Sequence, residues 1–295
     1  MGAKKAGTTW LHHNLKKHPD IGLPNFKELQ YFGAREKILN HNLITRVLRH
    51  NSFEFFQAKF LREWRNTIFK QQVQNQLFSG NLLGAISCLN DYYNFSNDRL
   101  YSSVFSSMSE KITGEITPDY SILNKDSVGY IYQIMPKAKI IFILRNPIDR
   151  AWSNTRMNFA SLNKDFDSLS NLDFIHRFDS KAIRERSNYL KTLDTWHFYY
   201  PEEQFLICFF DELKKQPQDF IRRVCNFLNL DTDVNYLQQI STKPEASYAQ
   251  DYKDKLSKEL RIYLAKTYQP ELEKLSARFG GYASQWLDDA HKLLS

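Results

Sequence analysis

Two lysines, two glycines and two adjacent hydroxyls fall within the opening stretch Met1-Gly2-Ala3-Lys4-Lys5-Ala6-Gly7-Thr8-Thr9-Trp10, directly ahead of an amphipathic helical pattern. Main-chain N–H groups at a helix N-terminus, reinforced by the helix dipole, form a ready anion site, and glycine lets the backbone approach the anion closely. The stretch therefore reads as a phosphate-binding loop, and its ligand as a nucleotide. Gly2 and Gly7 have the spacing of a Walker A loop, but Thr8 stands where that motif has lysine, and the basic residues precede the second glycine. This displacement argues against an ordinary ATPase.

The segment Lys5-Ala6-Gly7-Thr8-Thr9-Trp10-Leu11 resembles the 5′-phosphosulfate-binding loop of sulfotransferases that use 3′-phosphoadenosine 5′-phosphosulfate (PAPS). Phe142-Ile143-Leu144-Arg145-Asn146-Pro147-Ile148-Asp149-Arg150-Ala151-Trp152-Ser153 resembles the same family's 3′-phosphate motif. Phe26-Lys27-Glu28-Leu29-Gln30-Tyr31-Phe32 is similar to the Lys-Glu-x-(His/Gln)-Phe-Phe segment of its Golgi-type and bacterial glycan branch. Further matches are Asn188 to Trp196, with Tyr189, Leu193 and Trp196 in register, and Phe210-Asp211-Glu212-Leu213; the similarity runs to about residue 245 and more loosely to Trp286.

Sulfuryl transfer, like phosphoryl transfer, needs an in-line nucleophile, a stabilised leaving group and positive charge near the transferred oxygens. The resemblance implies a residue for each need. Lys5 would neutralise the bridging oxygen as the sulfuryl group departs, with Lys4 an auxiliary or solvated charge. Ala6, Gly7, Thr8 and Thr9 would cradle the 5′-phosphate, and Trp10 would either stack on adenine or belong to the core. Arg145 and Ser153 would bind the 3′-phosphate, whereas Arg150 divides between ligand contact and a salt bridge within the fold. Tyr189 belongs to the same donor-binding set. Lys243, in Ser241-Thr242-Lys243-Pro244, corresponds to a basic residue of a late loop that closes over the phosphates.

Glu28 is the candidate general base, since a carboxylate facing the acceptor can take the proton that a hydroxyl or amine loses during attack. The cytosolic branch of the family uses histidine, but no histidine here lies in a counterpart motif; His12 and His13 read as surface residues, and His176 and His197 lack context. In Gly114-Glu115-Ile116-Thr117-Pro118-Asp119-Tyr120, similar to a segment near the acceptor, Ile116 replaces the lysine of many glycan enzymes. The replacement points to a less anionic acceptor than a heparan-type polysaccharide, with Thr117 and Tyr120 as candidate contacts.

These residues need a scaffold. Helical spacing covers Trp10 to Lys17, with His18-Pro19-Asp20 as breaker, and a short strand is expected over Ile21 to Leu23. The compact apolar run of Lys137 to Leu144 predicts a buried parallel strand whose carboxyl end opens at Arg145, and Gln204 to Phe210 predicts another. Helices are expected within residues 35 to 76, where Phe53, Phe56, Phe60, Leu61, Trp64 and Phe69 read as core, and over Leu213 to Leu228 and Leu256 to Phe279. Residues 79 to 110 read as loops and short helices. The alternation of strands and helices predicts an α/β fold, three layers (α/β/α) around a central parallel sheet, P-loop-like, as a single domain over residues 1–295. In the family, the loop follows a buried strand, so a first strand upstream of Met1 is expected.

A chain of 295 residues with 42% apolar and 25% charged residues has an ordinary globular balance, which excludes a disordered chain. No apolar run approaches the ~20 residues of a membrane span, and no signal-peptide pattern precedes the loop, so the expected location is cytoplasmic. Cys88, Cys208 and Cys225 are widely spaced and odd in number, which fits neither a disulfide framework nor a zinc site. The net charge of +7 is spread among interleaved acids and does not form a nucleic-acid patch. The expected activity is PAPS-dependent transfer of a sulfuryl group to a hydroxyl or amine of a glycan or small molecule, releasing PAP, without a metal. The alternatives are an ATP-using kinase of related fold and a protein that binds PAP without turnover.

Overall fold

The computed structural model describes residues 3–24, 27–39, 78, 98–108, 111–241 and 256–295. The expected helices within 35–76 lie largely outside these residues, as do Phe53 to Phe69, Cys88 and Lys243. Helix α1 (Thr8–Leu15) starts at a left-handed Gly7, two residues ahead of the expected start, because Thr8 and Thr9 carry no apolar signal yet adopt helical geometry. Strand β1 (Ile21–Gly22), helices α2 (Tyr31–Leu39) and α3 (Asp98–Ser103), strand β2 (Ile112–Thr113) and helix α4 (Lys125–Ile134) follow. Asn124 caps α4, its side chain accepting the Ser127 N–H.

Strand β3 (Ile140–Leu144) carries the apolar run, with Phe142, Ile143 and Leu144 fully buried. Each such side chain stabilises the fold by at most about 1.5–3 kcal/mol, which anchors the strand in the core. The strand is shorter than the expected run because Lys137 and Lys139 precede it as exposed residues. Asn146 caps α5 (Pro147–Ser161), and Pro147 at its first turn loses no hydrogen bond there.

Helices α6 (Asn171–Phe178), α7 (Lys181–Glu185) and α8 (Tyr189–His197) lead to β4 (Phe205–Phe209). The helix expected over Leu213 to Leu228 is two, α9 (Phe210–Lys215) and α10 (Pro217–Phe227), because Pro217 has no N–H to continue α9 and opens a new helix instead. Helices α11 (Val234–Gln238), α12 (Lys258–Phe279) and α13 (Gly281–Leu294) complete the order.

The strands pair in parallel, as expected for an α/β fold: β3 with β4 in register from Ile140↔Phe205 to Leu144↔Phe209, and β1 with β2. Among the described residues they form two separate pairs rather than one continuous sheet. Besides β4, β3 receives a main-chain bond from the loop itself, Ala3 N–H to the Ile143 carbonyl at 3.0 Å. Helix α12 packs on α5, α6 and α13, α1 on α10, and α2 and α8 on α4, and the Ala3–Ile143 bond puts the carboxyl end of β3 beside the loop.

Candidate functional site

The loop is a tight turn in which Ala6 N–H donates to the Ala3 carbonyl at 3.0 Å, and Lys5 takes a left-handed conformation, φ 76°. A residue with a Cβ is disfavoured there by about 1–2 kcal/mol, so neighbouring contacts must hold it. One is Arg145, whose Nη1 donates to the Lys5 carbonyl at 2.6 Å. Gly7, φ 83°, both permits the turn into α1 and leaves clearance: a Cβ would lie 2.9 Å from Leu213 Cδ1 and 3.0 Å from the Phe210 ring.

Arg145 projects from the carboxyl end of β3. The Tyr189 hydroxyl donates to its carbonyl at 2.7 Å, and its guanidinium lies 4.8 Å over the Phe210 ring. Its buried Nε has no hydrogen-bond partner among the described residues. The Lys5 ammonium approaches Met157 Sδ at 3.6 Å, a weak acceptor. Burial, followed by the charges of Arg145, Arg156, Lys27 and Lys4, lowers the Lys5 pKa from 10.5 to about 8. Since Met157 faces Lys5, Ser153 four residues earlier lies on the same side of α5, and it is buried. Arg156, one turn beyond Ser153, adds its charge to this field.

Lys27 joins the third motif to the loop. Its ammonium donates to Thr9 Oγ1 at 2.9 Å and pairs with Glu28 Oε1 at 3.1 Å, so the candidate base is within one lysine's reach of the first turn of α1. Gln30 Nε2 donates to Glu28 Oε2 at 3.3 Å. Glu28 and Gln30 both have positive φ, 66° and 59°, so this segment is also held in a conformation that side chains disfavour.

The segment 114–120 meets the loop through Asp119 and Lys4. Glu115 accepts from the hydroxyls of Thr117 at 2.6 Å, Tyr101 at 2.8 Å and Tyr120 at 2.9 Å. Burial raises its pKa against these three bonds, which favour the charged form. Asp119 accepts from Arg186 Nε at 2.8 Å and pairs with Lys4 Nζ at 3.7 Å. Lys4 is therefore an ion-paired residue and not a solvated charge. Ile116, Thr117 and Tyr120 are buried, so the position where many glycan enzymes carry lysine packs into the core here.

Several other expected site residues have identifiable packing roles. Trp10 is buried, edge-on to Phe220 at 5.9 Å, and its Nε1 donates to the Ser241 carbonyl at 2.8 Å, so its surroundings match the core alternative. Fully buried Arg150 donates from Nε to Ser187 Oγ at 2.8 Å and from Nη2 to the Ile183 carbonyl at 2.7 Å; it ties α5 to α7 and the start of α8. Tyr189 is buried and reaches the site through the Arg145 carbonyl. His12 is corrected from surface to interior: its Nε2 lies 3.3 Å from the Pro24 carbonyl, and burial lowers its pKa. The apolar spacing of Leu11 and Leu15 marked only one face of α1, whereas the returning chain at Pro24 covers a second.

Sequence reasoning gave no role to Arg156 or Lys27. Arg156 had a signal in its spacing, three residues beyond Ser153 on one helix face. Lys27 had a signal as the lysine of the Lys-Glu segment, but its link to Thr9 spans separate segments and could not be read from it. The described geometry fits a multiply charged anion: an uncapped helix N-terminus, an arginine with a buried unpartnered N–H, and a largely buried lysine with the charges of Arg145, Arg156, Lys27 and Lys4 around it. Among the described residues there is no cluster of three or more His, Cys, Asp or Glu that could hold a metal ion, and no helix long and apolar enough to cross a membrane.

A family model described as "Sulfotransferase family" matches residues 1–234. The chain is 25% identical over 183 residues to the human bifunctional heparan sulfate N-deacetylase/N-sulfotransferase 2, covering 52% of this chain and 21% of that protein. It is 23% identical over 202 residues to the membrane-associated sulfotransferase kil1 of Dictyostelium discoideum, covering 68% of this chain and 30% of that protein. The matched regions thus span less than a third of either relative. The crystal structure of a sulfotransferase from Alicyclobacillus acidocaldarius superposes with a TM-score of 0.61 at 22% identity, covering 97% of this chain and 96% of that one, a likeness of fold.

Proposed function

The chain belongs to the sulfotransferase family, and from that premise we propose that it transfers the sulfuryl group of PAPS to a hydroxyl or amine acceptor on a glycan or small molecule. Donor phosphates bind the N-terminus of α1 through Gly7, Thr8 and Thr9, and Arg145 and Ser153 from β3 and α5. The observation that most supports this reading is that Arg145 is bonded to the turn at Lys5 while Lys27 links Glu28 to Thr9, in the first turn of the helix that the same loop opens.

Glu28 accepts the acceptor's proton as its oxygen or nitrogen attacks sulfur. The new bond to sulfur forms as the sulfur–oxygen bond to the 5′-phosphate breaks, and the departing oxygen keeps the electron pair. Lys5 donates a hydrogen bond to that oxygen and offsets its growing charge, and the surrounding protein excludes water, which strengthens this interaction. No metal enters this scheme. The buried Ile116 leaves the acceptor side without the lysine of many glycan enzymes, which favours an acceptor of low negative charge.

Calorimetric titration with PAP, alongside ADP and ATP with Mg²⁺, tests the donor assignment without the acceptor. PAP binding that is lost in Arg145→Ala is the expected result. Preference for ATP with Mg²⁺ would replace this reading with a kinase, and PAP binding without a sulfated product across an acceptor screen would leave a nucleotide-binding protein.

A further inference from the structure

The left-handed Lys5 sits in a turn whose other central residue, Lys4, reaches away to Asp119, while the Lys5 carbonyl is held by Arg145. Both sides of the turn are therefore tied to elements distant in sequence. We infer that Asp119 is a positioning residue for the loop: through Lys4 it holds the turn in the conformation that presents the Lys5 ammonium to the donor. The inference rests on the proposed donor site, yet it makes a claim about the protein without ligand.

Asp119 is suited to this by its own fixation. It stands next to Pro118 in a short helical turn, Pro118–Ile122, within the segment that Glu115 braces through Tyr101, Thr117 and Tyr120. Arg186, just ahead of α8, donates to one carboxylate oxygen, and Lys4 pairs with the other. Burial works against the Asp119 charge, but the hydrogen bond and charge of Arg186, with Lys4, outweigh it and hold the carboxyl below its ordinary range. The anchor thus stays ionised at neutral pH, and its anchoring does not depend on a bound ligand. A left-handed non-glycine residue persists only where its surroundings over-determine it, and Lys4–Asp119 together with Arg145–Lys5 supplies that constraint from two directions.

Amide hydrogen exchange over residues 3–11 of the ligand-free protein is the direct test, paired with PAP titration. Asp119→Asn is expected to raise exchange in the loop while β3 keeps its protection, and to weaken PAP binding roughly ten- to a hundredfold through misplacement of Lys5. Asp119→Glu should restore part of both. Lys4→Met should loosen the loop as Asp119→Asn does, and the double variant should be no looser than either single one. Parent-like exchange in Asp119→Asn, or additive loosening in the double variant, overturns the inference. If Asp119→Asn does not fold, Lys4→Met decides the matter alone, because an unchanged loop there also overturns it. Failure of the parent protein to bind PAP would instead count against the donor site and leave the exchange result intact.

Discussion

Arg145 Nη1 lies 2.6 Å from the carbonyl oxygen of Lys5, across 140 residues of sequence. One guanidinium at the end of β3 therefore does two things. It fixes the backbone of the loop lysine in a left-handed conformation, and it leaves a buried Nε, without a partner among the described residues, beside the loop. A phosphate that accepts from this group would be read together with the loop's conformation, which links donor recognition to the placement of Lys5.

Arg145→Lys is expected to fail almost as badly as Arg145→Ala. Lysine keeps the charge but loses the planar fork that reaches the Lys5 carbonyl and an anion together. PAP affinity should fall by about a hundredfold in both variants, corresponding to about 2.7 kcal/mol. Isothermal calorimetry checks this; a Lys variant within a few-fold of the parent would reduce Arg145 to a point charge.

The Lys5 pKa of about 8 sets a pH limb. An anionic donor favours the charged ammonium, so affinity for PAP should be flat below that value and fall as pH rises through it, with a proton taken up on binding near the midpoint. Calorimetry in buffers of different ionisation enthalpy measures the uptake. Lys5→Arg, charged throughout, should remove the limb, and a limb that survives in that variant would belong to another group.

Glu28→Gln should leave PAP affinity within a few-fold and lower turnover by about 10²- to 10⁴-fold, the usual range for losing a general base. The amide oxygen can still receive the Lys27 bond, and a flip of the Gln30 amide presents its carbonyl to the new NH2 group, so the local fold is expected to survive. Single-turnover sulfation of any identified acceptor decides it, and near-parent rates across pH would remove Glu28 from the mechanism.

Arg150→Met should act on stability instead of binding. It strands the Ile183 carbonyl in the interior and leaves the Ser187 hydroxyl with only the Tyr268 hydroxyl as partner, at a cost of about 1–3 kcal/mol. Urea unfolding reads the loss, and PAP affinity of the folded protein should stay close to the parent. A selective loss of affinity with unchanged stability would return Arg150 to the donor site.

Gly7→Ala tests the loop backbone. The substitution forces a Cβ into the left-handed region and within 2.9 Å of Leu213 Cδ1, so both thermal stability and PAP binding should fall. A variant of parent-like melting temperature with intact PAP binding would show that the turn into α1 can relax.

The sequence by itself determined the glycine turn into α1, the strand ending at Arg145 and the α/β class, because these are written in short-range patterns: glycine at a helix start, an apolar run that must be buried, and a proline at a helix's first turn. Motif resemblance also located Glu28 beside its lysine. Only the tertiary structure decided what faces what. His12 is interior because the chain at Pro24 returns over α1, and Arg150 is a tie between helices because Ser187 and Ile183 come to meet it. Lys4 is paired because Asp119 comes to meet it, and Lys27 reaches Thr9 although the two lie on separate segments. Each of these depends on a contact between residues distant in sequence, where composition and periodicity carry no information about the partner.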